Sequence, residues 1–219
     1  LETLSRLPSS SHVAALLQSC RCLRSLDIAS CGRSLALCKG NQQSTALPMS
    51  SFCCTGLPLT QLALRDVPRL SHVTGILDQL SGLRTLRLEL DCRLENDIAR
   101  QLKPLSLCRG LEALHVAGSW FNEPQSLDWR EPALELPSLK SLTLLSCAVP
   151  VKAPRLEHVD VEDCTIAALC AMLECCSGVR TLEISTDLSR GGPSPSAASR
   201  DEAARLLQVI AQQRDSLET

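Results

Sequence analysis

The feature that most constrains this chain is a six-residue frame with aliphatic side chains at its first, fourth and sixth positions, which returns seven times. The copies are Leu23-Leu26-Ile28, Leu59-Leu62-Leu64, Leu83-Leu86-Leu88, Leu111-Leu114-Val116, Leu139-Leu142-Leu144, Leu156-Val159-Val161 and Val179-Leu182-Ile184. In an extended segment successive side chains point to opposite faces, so the fourth and sixth positions share one face. Seven strands with the same apolar face are satisfied together when similar units stack side by side. Successive frames start 36, 24, 28, 28, 17 and 23 residues apart. The 17-residue interval leaves no room for a helix after its strand, and the 36-residue interval implies an insertion. The stack is therefore expected to be irregular.

The segments ahead of the strands carry a second pattern. Ser11-His12-Val13 precedes Leu23 at the same offset as Ser71-His72-Val73 precedes Leu83. In that frame Val13, Leu16 and Leu17 match Val73, Ile76 and Leu77, and Leu169, Met172 and Leu173 hold the same places before Val179. A spacing of i, i+3, i+4 puts these side chains on one helical face. The unit is thus strand, turn, helix, an α/β arrangement in which neither face is buried until neighbours stack. A last helix, about Arg200 to Arg214, offers Leu207, Ile210 and Ala211 in the same frame before Leu217.

Three stretches interrupt the pattern. Residues 32–58 read as a looped insertion rich in Ser, Thr, Gln and Cys. Residues 119–137 lack helical periodicity and hold Trp120, Phe121 and Trp129. Residues 189–199, Ser-Arg-Gly-Gly-Pro-Ser-Pro-Ser-Ala-Ala-Ser, read as a flexible surface loop. The ends, Leu1-Glu2-Thr3-Leu4 and Leu217-Glu218-Thr219, read as strands entered or left midway, without the polar capping unit that a stack needs. The expectation is one irregular domain over 1–219, part of a longer protein.

Composition fits thin aliphatic layers: 44% of residues are hydrophobic, but only 2% are aromatic and Tyr is absent. A net charge of −2 gives no electrostatic reason to expect nucleic acid or an anionic membrane. No apolar run approaches the ~18 residues of a membrane span. Thirteen Cys could suggest a disulfide framework. Their positions suggest packing instead. Cys20 and Cys176 share a helix-frame position with Leu80, and Cys31, Cys147 and Cys164 share a strand-end position where the side chain turns inward. Zinc from Cys20, Cys22, Cys31 and Cys38, or from Cys170, Cys175 and Cys176, lacks the paired spacing of structural sites. Cys53 and Cys54 remain unassigned. With no glycosylation sequon, the cytoplasm or nucleus is the expected compartment.

No catalytic constellation accompanies the frame. His12 and His72 occupy equivalent helix starts, while His115 and His158 fall on strands with no nucleophile motif around them. Gly191-Gly192 lacks the Lys-Ser/Thr of a phosphate loop, and Ser194-Pro195 is a weak phosphorylation candidate. No catalytic residue, cofactor or metal is expected. The informative surface is the strand face opposite the aliphatic rows. Its central row reads Asp27, Ala63, Arg87, His115, Thr143, Asp160, Glu183, flanked by Arg65, Glu89, His158 and Glu162. Arg65, Arg87 and His115 should make its middle basic to neutral. Asp160, Glu162 and Glu183, with Asp163 nearby, should make its later part acidic and able to accept Lys or Arg from a protein partner. Trp120, Phe121 and Trp129 either plug the space of a missing helix or form an exposed aromatic anchor.

The segments Leu26-x-Ile28-x-x-Cys31, Leu142-x-Leu144-x-x-Cys147 and Val159-x-Val161-x-x-Cys164 resemble the cysteine-containing subclass of leucine-rich-repeat proteins, whose pattern is L-x-x-L-x-L-x-x-N/C-x-L. The resemblance implies a solenoid with a curved parallel sheet on its concave side and helices and loops on its convex side. It implies protein–protein recognition through the concave face, with no enzymatic activity. That subclass is frequent in the F-box and elongin-box substrate receptors of cullin-RING ubiquitin ligases. A ligase role would have this chain hold the substrate while an adaptor-binding element, not legible in these residues, recruits the cullin subunits. Two other roles fit the same resemblance: the sensing domain of an intracellular immune receptor, or a structural scaffold of a large assembly.

Overall fold

The computed structural model describes residues 22–28, 58–67, 77, 80–90, 103–118, 134–147, 149, 151–164, 166–176, 178–185 and 197–213. Among the described residues nine strands follow one another: β1 (Ser25–Ile28), β2 (Gln61–Val67), β3 (Thr85–Leu90), β4 (Ala113–Gly118), β5 (Leu134–Glu135), β6 (Ser141–Leu145), β7 (Val151–Lys152), β8 (His158–Glu162) and β9 (Thr181–Ser185). Between them come a 3-10 helix (Lys103–Leu107) and helix α1 (Ile166–Glu174), and helix α2 (Ala197–Gln212) follows β9. The architecture is α/β. Seven strands form one parallel sheet in the order β1-β2-β3-β4-β6-β8-β9, and β5 pairs with β7 in a separate parallel two-stranded sheet.

The register of the large sheet follows the aliphatic frame. Leu26 pairs with Leu62, Leu62 with Leu86, Leu86 with Leu114, Leu114 with Leu142, Leu142 with Val159 and Val159 with Leu182. The sixth positions form a second row from Ile28 through Leu64, Leu88, Val116, Leu144 and Val161 to Ile184. The first positions, from Leu59 to Val179, are buried to 1% exposure or less. Sliding a strand by one residue would turn its whole apolar set to the other face, so one register is strongly preferred.

Another buried column was only half legible. Three residues before each of the last five frames stand Leu80, Cys108, Leu136, Ala153 and Cys176, all at 2% exposure or less. The amide of the first frame residue donates to the carbonyl at that position in four of these units: Leu83 to Leu80, Leu111 to Cys108, Leu139 to Leu136 and Leu156 to Ala153. The local turn is therefore fixed while the element preceding it varies. Ahead of Val179 it is α1, which buries Leu169, Met172 and Leu173 as its spacing predicts. Ahead of Leu111 it is a 3-10 turn burying Leu105, and ahead of Leu139 and Leu156 it is β5 and β7.

The 17-residue interval thus holds a two-residue strand and no helix. Prolines at 150 and 154 bracket that strand, and proline cannot continue a helix or donate a backbone hydrogen bond. β5 is a feature the sequence reading missed: the irregular segment 119–137 closes with a strand at Leu134–Glu135. Residues 119–133 of that segment, with Trp120, Phe121 and Trp129, lie outside the described residues, as do residues 32–57 of the insertion.

Two expectations need correction. Helix α2 begins at Ala197, so the last three residues of the segment read as a loop over 189–199 belong to its first turn. Its inward face is also rotated: Val209 is buried, Leu206 and Ile210 pack partly against the core, and Leu207 is 68% exposed with Ala211 outside as well. Leu206, Val209, Ile210 and Gln213 are the i, i+3, i+4, i+7 set turned toward α1, and the Gln213 amide donates to the carbonyls of Leu173 and Cys176. The offset that worked for α1 misplaced this face because α2 meets another helix. At the same end Ile184 is 42% exposed, since β9 is the sheet's last strand and no described element covers it.

Replacing a fully buried frame residue leaves a cavity, so Leu142→Ala is expected to cost about 2–5 kcal/mol. Ile184→Ala, at the sheet edge, should cost no more than about 1 kcal/mol. Urea unfolding of the two variants checks the ranking; equal losses would mean that the aliphatic rows do not carry the stability.

Candidate functional site

Because the fourth and sixth frame positions share one face, buried on every strand of the large sheet from β1 to β8, the intervening positions stand together on the sheet's other face. Three rows result. The first runs Ser25, Gln61, Thr85, Ala113, Ser141, His158, Thr181. The second runs Asp27, Ala63, Arg87, His115, Thr143, Asp160, Glu183. The third includes Glu89, Ala117, Leu145, Glu162 and Ser185, with Arg65 beyond Leu64 on β2. Neighbouring strands are ~4.8 Å apart, so each row is a line of closely spaced side chains. No described element packs over this face.

The charges are segregated along it. On β1 to β3 they are mutually satisfied: Arg65 reaches Asp27 at 2.8 Å and Glu89 at 4.0 Å, and Arg87 reaches Glu89 at 2.7 Å. Two guanidiniums and two carboxylates cancel there. The middle expected to be basic to neutral is therefore neutral, because each arginine is already engaged by an acid on its own or the neighbouring strand. Pairs this exposed contribute only about 0–1 kcal/mol each, so they set local charge more than stability.

His115 stands beside Arg87 and Thr143, half-buried, with its Nε2 enclosed and without a hydrogen-bond partner. Burial, and then the Arg87 guanidinium, hold its pKa below the ordinary 6.5, against smaller opposing effects of Glu89 and Asp160. It is neutral at pH 7. On β8 and β9 the structure brings Asp160, Glu162 and Glu183 together: Asp160 faces Glu183 in register, and Glu162 follows two residues on along the same face. Among the described residues these three carboxylates have no ion-pair partner. His158 is exposed in the first row beside them.

Between the two charged ends lies a patch the sequence reading did not single out. Ala113 faces Ser141, His115 faces Thr143 and Ala117 faces Leu145 across β4 and β6, all partly accessible. Leu145 is the one large aliphatic side chain among them. Its signal was present as an apolar residue one place after the frame of Leu139-Leu142-Leu144.

A second missed feature is the row of residues immediately preceding the strands. Glu112 binds both Arg84, one strand earlier, and Lys140, one strand later at 3.1 Å. These two cations, Lys140 first, draw the Glu112 carboxyl below its usual range. The row continues with Glu157 and Arg180, whose amides donate in turn to the preceding members' carbonyls. Alternating sign at the residue before each strand, from Arg84 through Glu112, Lys140 and Glu157 to Arg180, was visible in the sequence.

The strand-end cysteines are structural. Ser146 and Asp163 adopt left-handed backbone (φ 50 and 53), and each swings the next residue, Cys147 or Cys164, back toward the core. The Cys147 thiol donates to the Val116 carbonyl at 3.2 Å, and the Cys164 thiol donates to the Cys147 carbonyl. Burial pushes the Cys147 thiol far up, and Cys164 and Cys176 up to about 11. Such thiols carry almost no thiolate and are poor nucleophiles. Among the described residues no group of three His, Cys, Asp or Glu side chains is arranged to hold a metal ion. Among them, too, no helix is long and apolar enough to cross a membrane. His12, His72, Cys20, Cys31, Cys38, Cys53, Cys54, Gly191, Gly192 and Ser194 lie outside the described residues.

No family model, curated protein or solved structure matches this chain.

Two measurements check this account. Iodoacetamide on the native protein should label Cys22 and Cys175, which are exposed, and spare Cys108, Cys147, Cys170 and Cys176 until urea is added; rapid native labelling of Cys147 would contradict its burial. Folding lowers the proton affinity of His115, so the unfolded chain takes up that proton first as the pH falls through 6.5, and stability is lost there. Between about pH 7.5 and about pH 5.5 the wild type should lose more stability than His115→Gln; parallel profiles would mean that His115 is not held neutral.

Proposed function

We propose that this chain is a leucine-rich-repeat solenoid whose strand face recognises another protein. The irregular spacing, the strand-end cysteines and the chain-order stacking of the parallel sheet support the solenoid reading, with that face concave and the helices and β5–β7 layer convex. The observation that carries the function is the face itself. Its seven strands present aligned rows of side chains, and one end holds three carboxylates without an ion-pair partner among the described residues. A surface with unsatisfied charge of one sign speeds encounter with, and selects for, a partner of the opposite sign.

By its resemblance to cysteine-containing leucine-rich-repeat proteins, we further propose that the partner is a substrate presented to a cullin-RING ubiquitin ligase, with the adaptor engaged elsewhere. The protein acts as a binding module and not as a catalyst, and works in the cytoplasm or nucleus.

The test begins with a partner recovered stoichiometrically with the tagged protein and its affinity for the purified chain. Changing Asp160, Glu162 and Glu183 together to Lys should weaken that affinity at least about tenfold, since attraction is replaced by repulsion. Undiminished binding removes this face from the function. Depleting the protein from its source cells should lengthen the partner's half-life; an unchanged half-life removes the ligase role and leaves recognition standing.

A further inference from the structure

The face is graded along its length in a way that specifies the chemistry of its occupant. On β1 to β3 the charges are closed on themselves through Asp27, Arg65, Arg87 and Glu89. On β4 and β6 the side chains are uncharged, with Ala117 facing Leu145 next to the His115–Thr143 and Ala113–Ser141 pairs. On β8 and β9 the charge is open and negative. A partner gains little over the first zone, can bury an apolar group over the second, and can neutralise carboxylates over the third.

The distances suit an extended chain. From the midline of β4 and β6 to that of β8 and β9 is two strand spacings, about 10 Å. An extended peptide advances ~3.3 Å per residue and turns alternate side chains to one face, so positions i+2 and i+4 lie about 7 and 13 Å from position i. The acidic pair Asp160 and Glu183 falls between these two, within reach of a flexible Lys or Arg stem from either.

We propose that this face binds an extended peptide segment carrying one aliphatic side chain followed, at the second and fourth positions beyond it, by Lys or Arg. The aliphatic group settles on Ala117 and Leu145, which face each other across β4 and β6, and the cations meet Asp160, Glu162 and Glu183. This inference rests on the protein-recognition reading above and adds the class of sequence recognised.

The experiment uses fluorescein-labelled probe peptides and the whole 219-residue chain in fluorescence anisotropy. The first probe holds Leu with Lys at the second and fourth positions beyond it, in a Ser background. A second has both Lys replaced by Glu, and a third has Leu replaced by Ser. The first should bind at least about tenfold more tightly than the second, and its affinity should fall several-fold as salt is raised. Leu145→Ser should weaken the first probe and leave the third unchanged. The protein carrying Lys at Asp160, Glu162 and Glu183 should reverse the preference and favour the Glu probe, which a merely destabilised fold would not do. Equal binding of the Lys and Glu probes, insensitivity to Leu145→Ser, or no binding by any probe overturns the peptide proposal. If a native partner still loses affinity for the charge-reversed protein in that case, recognition by this face survives and only the extended-motif reading fails.

Discussion

Two parallel rows of aliphatic side chains, held in register from β1 to β9, are the constraint on which the rest of this molecule depends. Each strand alone has one apolar face and nothing to bury it against. Adjacent strands in the same register bring aliphatic side chains together at both the fourth and the sixth frame positions, so each strand supplies the environment of the next. Burying one such side chain is worth about 1.5–3 kcal/mol, and the rows repeat that gain across the sheet. The β9 edge of the second row shows the same rule: Ile184 is 42% exposed there, against 2% for Val161 one strand further in.

The back of the molecule is less constrained. What the layer requires there is one buried residue three places before the frame, and Leu, Cys and Ala all satisfy it. The chain reaches that point by a helix before Val179, a 3-10 turn before Leu111 and a two-residue strand before Leu139 and before Leu156. This freedom explains why intervals from 17 to 28 residues coexist within one sheet. The strand-end cysteines belong to the same economy of space: a small, soft side chain fits behind a left-handed residue and its thiol still donates to a carbonyl of the neighbouring layer.

The open face inherits its geometry from this packing. Because the buried rows fix the register, residues distant in sequence are held side by side without any contact made for that purpose. Asp160 and Glu183 are neighbours for this reason, and so are Arg65 and Asp27, which are 38 residues apart. The identity of those residues is free of the core and available for recognition. The salt-bridged end and the open acidic end are therefore different surfaces on one rigid support.

The seven strands, the inward face of each, the face of α1 and the absence of a helix before Leu156 were legible in the sequence because side-chain periodicity is a local property of a strand or helix. The membership of the outer rows followed from the same alternation. Other features were not. Which charges cancel depends on side-chain reach between strands, so Arg65 and Arg87 looked available until their acids were placed. The face of α2 was misjudged at Leu207 because a helix turns its apolar side to whatever it meets, and α2 meets α1. The pairing of β5 with β7 needed two short extended segments to be brought together from either side of β6, which no local pattern records. The sequence by itself determined which side of each strand is buried, since that is set by spacing along the chain. Tertiary structure alone decided the charge pattern on the other side, since electrostatic pairing acts across strands at distances the chain's own order does not measure.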